Sequence, residues 1–164
     1  MSDVPVFTIV RTFDADRETV FDAWADPDKM EQWSGPPGAK LTRLSGDIVE
    51  GSLMHTRSDH PDMGTTYTLA KWTRIDRPGH IAWEQSFADA EGRKVTPHFF
   101  PAWPLTLLTE VDFRDTDGGT EITLKWTPIE ASAEAIAVFV EAMGSMEQGW
   151  GGSFDKLAEF LANA

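Results

Sequence analysis

The chain has 164 residues, enough for one domain over 1–164 and for a core that needs no staples. Its 27 acidic against 14 basic residues give a net charge of −13, which excludes nucleic acid and anionic membranes as partners. Cysteine is absent, so disulfides and thiolate metal sites are excluded and a reducing, cytoplasmic setting is expected.

Val4 to Phe13 alternates in the β manner and predicts the first strand. Asp14 or Asp16 caps a short helix from Arg17 to Trp24, with Val20, Phe21 and Trp24 inward. Asp26-Pro27 opens a second helix that runs to about Trp33, and Ser34-Gly35-Pro36-Pro37-Gly38 stops it. From Lys40 the pattern is β. Strands are expected over Leu41–Leu44, Gly51–Arg57, Thr65–Ile75, His80–Phe87, Leu105–Arg114 and Thr120–Thr127. Turns fall at Asp59–Gly64, Arg77–Gly79, Asp89–Gly92 and Asp117–Gly119. Pro97 to Pro104 holds three prolines among His98, Phe99, Phe100 and Trp103, and reads as an irregular apolar segment.

Ser132 caps a helix from Ala133 to Met143, broken at Gly144. Ser145 and Gln148 then fit a capping box for the final helix, on which Met146, Trp150, Phe154, Leu157 and Leu161 share one face. Gly149, Gly151 and Gly152 surround Trp150, which predicts a close approach to the helix backbone or a cavity wall there. Strand, two short helices, six strands and a long terminal helix define an α+β domain with an antiparallel sheet of about seven strands.

This order, and four stretches in particular, resemble a known group. They are Val10–Ala15 with Val20–Trp24, Asp26-Pro27 through Gln32-Trp33, Ile75–Ile81, and Met146–Trp150 through Phe154–Leu157. A fifth stretch, Pro101–Leu105, resembles a bacterial branch of the same group. The chain looks like the START and birch-pollen-allergen (SRPBCC) superfamily, and within it the family of the activator of heat-shock-protein-90 ATPase. The resemblance implies a helix-grip fold, a curved sheet wrapped around the long C-terminal helix. After Asp47 the chain departs from the family, with Val49, Gly51 and Ser52 where an Arg and a double Gly are usual.

No nucleophile elbow, phosphate loop or cysteine nucleophile is present, so no catalytic residue is assigned. Asp59, His60 and Asp62 read as a solvated acidic turn, and neither a metal nor a cofactor is expected. Seven Trp and ten Phe against one Tyr fill a thick core or line a cavity. The first reading is a binding module for a hydrophobic or aromatic small molecule, lined by Trp83, Phe99, Phe100, Trp103, Trp150 and Phe154. His55 and Arg57 supply polar contacts if their face of the strand is inward, whereas a shift of one residue puts Met54 and Thr56 there instead. A cyclase or hydratase with His55 as acid or base is the second reading. The third, a chaperone partner, comes from the family name. A homodimer is compatible with all three.

Overall fold

Eleven elements follow one another in the computed structural model, which describes residues 4–35, 38–62, 64–97, 102–129 and 131–163. They are β1 (Phe7–Phe13), α1 (Arg17–Ala25), α2 (Pro27–Trp33), β2 (Lys40–Ser45), β3 (Leu53–His60), β4 (Gly64–Asp76) and β5 (His80–Ala88). β6 (Thr106–Thr116), β7 (Gly119–Ile129), α3 (Ala133–Glu141) and α4 (Met143–Ala162) complete the chain. The strands form one antiparallel sheet in the order β1-β7-β6-β5-β4-β3-β2, a meander from β2 to β7 with β1 added at the far edge.

Period-two alternation decides what each strand buries. Ile81 and Trp83 of β5, Val111 and Phe113 of β6, and Ile122 and Leu124 of β7 all lie on the covered face at 3 % exposure or less. The acids next to them in sequence take the opposite face, where Glu84 stands across from Lys71 and Glu110 from Lys125. Helices α1 and α4 close the covered face. Val20, Phe21 and Trp24 of α1 and Phe154 and Leu157 of α4 are fully buried in the same core.

Local signals set the helix starts unevenly. Asp26 Oδ1 accepts the Asp28 N–H at 3.0 Å, with Pro27 at the first helical position of α2. Ser132 Oγ accepts the Ala135 N–H at 3.1 Å and starts α3. Asp16 occupies the cap position of α1 without a side-chain hydrogen bond. The capping box expected at Ser145 does not form. α4 begins at Met143, runs through Gly144 and Ser145, and has Ala142 as an N-cap that makes no side-chain bond. Burying Ala142 and Met146 in the core outweighs the weak helix preference of one glycine, about 1 kcal/mol.

The irregular turn from Gly46 to Ser52 fixes the register of β3. Gly46 has φ 84°, and a Cβ there would lie 2.2 Å from the Leu53 carbonyl oxygen, so only glycine fits. Gly51 N–H donates to Trp72 O at 2.8 Å, and Trp72 N–H donates to Ser52 O at 3.0 Å. These bonds seat the chain so that Met54 pairs with Ala70 and His55 with Leu69.

Candidate ligand cavity

Between the covered face of the sheet, α2 and α4 lies a cavity of about 370 Å³. Its floor is aromatic, with Trp33, Trp72, Trp83, Trp126 and Trp150 in the wall, and Met54 and Met146 fill between them. Trp24 is the hub behind this floor. Its ring centroid lies 4.7 Å from that of Trp33, 6.0 Å from Trp83 and 6.2 Å from both Trp150 and Phe154. Trp72 and Trp83 are direct cross-strand partners with centroids 4.8 Å apart. Trp126 meets Trp150 edge-on at 5.4 Å, which ties β7 to α4.

The indole N–H groups of this cluster are not treated alike. Trp33 Nε1 donates to Ala23 O at 2.9 Å, Trp83 Nε1 to Gln85 Oε1 at 3.2 Å and Trp126 Nε1 to Thr109 Oγ1 at 2.8 Å. Those of Trp24, Trp72 and Trp150 are buried and have no acceptor among the described residues. An unsatisfied buried donor costs about 1–3 kcal/mol.

One end of the cavity is pinned. Ser153 Oγ on α4 donates to Gly35 O at 2.9 Å, and Lys156 Nζ donates to Ser34 O at 3.1 Å. Ser34, Gly35 and Ser153 all line the cavity, so these bonds fix the loop after α2 against the terminal helix. Burial of the Lys156 ammonium lowers its pKa from the ordinary 10.5.

The residues expected from the sequence are distributed as follows. Trp83 and Trp150 line the cavity. Phe154 does not: it is fully buried between Phe13, Trp24 and Trp150, a core side chain. Trp103 packs against Phe139 at 6.0 Å and borders a separate recess with Thr96, Leu105 and Ala135. Phe99 and Phe100 lie outside the described residues.

His55 and Arg57 point away from the cavity, and Met54 and Thr56 are the side chains that enter it. The register set by the Gly46–Ser52 turn is the physical reason, because a strand presents alternate residues to each face. His55 is instead buried on the outer face, where its Nε2 donates to Asp89 O at 3.0 Å and its ring lies 5.6 Å from Tyr67. Arg57 Nε donates to Asp59 Oδ2 at 3.0 Å.

Sequence reasoning missed Trp33, Trp72 and Trp126 as wall residues. Trp126 shares its face with the buried Ile122 and Leu124, a parity visible in the sequence. Nothing local distinguishes a wall tryptophan from a core one. Asp59 also accepts from Thr65 Oγ1 at 2.7 Å, and His60 Nδ1 accepts the Asp62 N–H at 3.0 Å, so this turn spends its polar groups on itself. Among the described residues no group of three or more His, Asp or Glu is placed to hold a metal ion. No helix there is long and apolar enough to cross a membrane.

An open antiparallel sheet gripping a long C-terminal helix, with four helices among the described residues and a cavity between the two layers, is the helix-grip architecture of SRPBCC-type proteins. The chain belongs to the family described as Activator of Hsp90 ATPase homolog 1-like protein, whose model matches residues 14–162. Among solved structures it is similar to a protein from Arthrobacter aurescens, with 25 % identity and a TM-score of 0.81 over 97 % of this chain and 87 % of that one. It is likewise similar to protein Ms6760 from Mycobacterium smegmatis, at 25 % identity and TM-score 0.78 over 98 % and 96 % of the two chains. An AHSA1 protein from Silicibacter pomeroyi shares the fold at TM-score 0.74 and 18 % identity, covering 96 % of this chain and 98 % of its own. No curated protein matches.

Proposed function

We propose that the protein binds a hydrophobic or aromatic small molecule in the cavity between the sheet and α4. The observation that carries this reading is the cavity itself, about 370 Å³ with five tryptophans in its wall. That volume falls in the range of small-molecule sites, roughly 300–1,000 Å³. Burial of apolar ligand surface at about 25 cal/mol per Å² supplies the affinity. Gln85, whose side-chain oxygen already takes the Trp83 N–H, keeps its amide hydrogens for orientation.

A binding role is favoured over catalysis because His55, the acid or base that a cyclase or hydratase would use, donates to a backbone carbonyl on the other side of the sheet. The test is titration with the uncharged fluorophore N-phenyl-1-naphthylamine. Saturable one-to-one binding with enhanced probe emission and quenched tryptophan emission is the expected result. A linear, unsaturable response would overturn the reading.

A further inference from the structure

Along the same face of the sheet, beyond Trp72 on β4, the cavity wall is chemically different. Thr56 and Ser58 of β3 and Thr66 and Thr68 of β4 all line the cavity. They are direct cross-strand partners, Thr56 with Thr68 and Ser58 with Thr66. The four therefore form a two-by-two grid on one face, about 5 Å across the strands and about 7 Å along them. All four are half-buried, neither sealed in the core nor on an open surface. Threonines are common on strands for their shape alone, and cross-strand pairs often bond to each other. Here no hydrogen bond ties any of the four hydroxyls to another group among the described residues. The neighbouring Thr65, by contrast, donates to Asp59, and Thr106, on the outer face, receives Lys94 Nζ at 2.8 Å.

Charge at this end is already spent. Arg43, which stands opposite Thr56, puts Nη1 3.1 Å from Gly46 O and 3.4 Å from Asp47 Oδ1. Glu31 Oε1 accepts the Arg43 backbone N–H at 3.0 Å. With Asp47 beside the Arg43 guanidinium, that cation brings no surplus positive charge for an anionic ligand, and the Glu31 carboxylate in the wall and a chain charge of −13 both oppose one.

We infer that the Thr56–Thr68 and Ser58–Thr66 grid is the polar-head subsite of the cavity, and that its ligand is an uncharged ring compound bearing two or more hydroxyl or carbonyl oxygens at one end. This rests on the binding reading above and narrows it to a substrate class. The flat body lies on the tryptophan floor while the oxygenated end exchanges hydrogen bonds with hydroxyls that both donate and accept. Each such bond adds modestly, so two of them discriminate by about tenfold.

The experiment is calorimetric titration of wild type and Thr56→Val/Thr68→Val with three probes: naphthalene-2,3-diol, naphthalene and 2-naphthoate. Valine keeps the branched shape and removes only the hydroxyl. Wild type should bind the diol about tenfold more tightly than naphthalene, and 2-naphthoate more weakly than either. The double variant should lose about tenfold for the diol and nothing for naphthalene. If that variant does not fold, Ser58→Ala/Thr66→Ala takes its place with the same expectation. A folded variant that binds the diol as wild type does, or a wild type that prefers 2-naphthoate, overturns the subsite and leaves the cavity reading standing. A wild type that binds none of the three probes and no N-phenyl-1-naphthylamine overturns both.

Discussion

At the scale of single residues, the difference between a wall and a core decides what a substitution costs. Trp150 and Leu157 lie two turns apart on the same face of α4. Leu157 is fully buried, whereas Trp150 is half-buried, lines the cavity and has an indole N–H without an acceptor among the described residues. Truncating a packed leucine costs about 2–5 kcal/mol, and a packed tryptophan about 3–5. Trp150 should fall below its usual range, because part of its surface already borders empty space and its buried N–H is itself unfavourable. Trp150→Ala is therefore expected to destabilise no more than Leu157→Ala in urea unfolding. Trp150→Phe should remove much of the ligand-dependent fluorescence change. A Trp150→Ala loss clearly above that of Leu157→Ala would make Trp150 an ordinary core residue.

Among the elements, α4 carries the most testable consequence. The glycines around Trp150 led the sequence reading to offer a close backbone approach or a cavity wall. A Cβ built on Gly149 or Gly151 meets nothing within 4 Å, so no close approach requires them. Gly151→Ala should then stabilise the helix by about 1 kcal/mol and raise the melting temperature by about 3 °C. Gly149 lines the cavity, so Gly149→Ala should raise stability similarly while weakening N-phenyl-1-naphthylamine binding. Equal affinity in the two variants would deny Gly149 a role in shaping the cavity. The same element marks where the sequence was legible. Its apolar face at Met146, Phe154 and Leu157 follows from spacing alone, as do the inward faces of β5, β6 and β7. Its start was misread because a capping box is a local signal, whereas the helix reaches back to Met143 through burial of Ala142 and Met146 in the core, which is a tertiary effect. The inward side of β3 was undecidable from local pattern, since Met54-His55-Thr56-Arg57 has no clear apolar parity. A turn glycine and two backbone bonds to Trp72 settle it. The wall of the cavity was legible only in part for the same reason: Trp33, Trp72 and Trp126 converge from three elements far apart in sequence.

For the whole molecule, net charge and fold stability respond to acid at different pH. The chain is strongly acidic and reaches zero net charge near pH 4.5, where self-repulsion no longer keeps copies apart. Three carboxyls are held below the ordinary value of 3.8. Asp22 is lowered mainly by its hydrogen bonds to the Arg77 guanidinium, two contacts of 2.9 Å. Asp59 is lowered mainly by the Thr65 hydroxyl, and Asp89 mainly by the Arg93 backbone N–H. A carboxyl with a depressed folded pKa adds stability that is complete above its unfolded value. That stability is lost only as pH falls from 3.8 through the lower folded value. Asp22 ties α1 to the β4–β5 turn, and Asp89 anchors the turn that covers His55, so their protonation loosens joints between elements. Acidification should therefore produce light scattering near pH 4.5 while tryptophan fluorescence and near-ultraviolet circular dichroism still report the native fold. Loss of the native signal should follow below pH 3.8. Asp22→Asn removes the ion pair with Arg77 but leaves the net-charge argument almost untouched, so it should shift the unfolding limb and not the scattering limb. Unfolding that sets in above pH 4.5, ahead of any scattering, would show that groups other than these carboxyls govern acid stability.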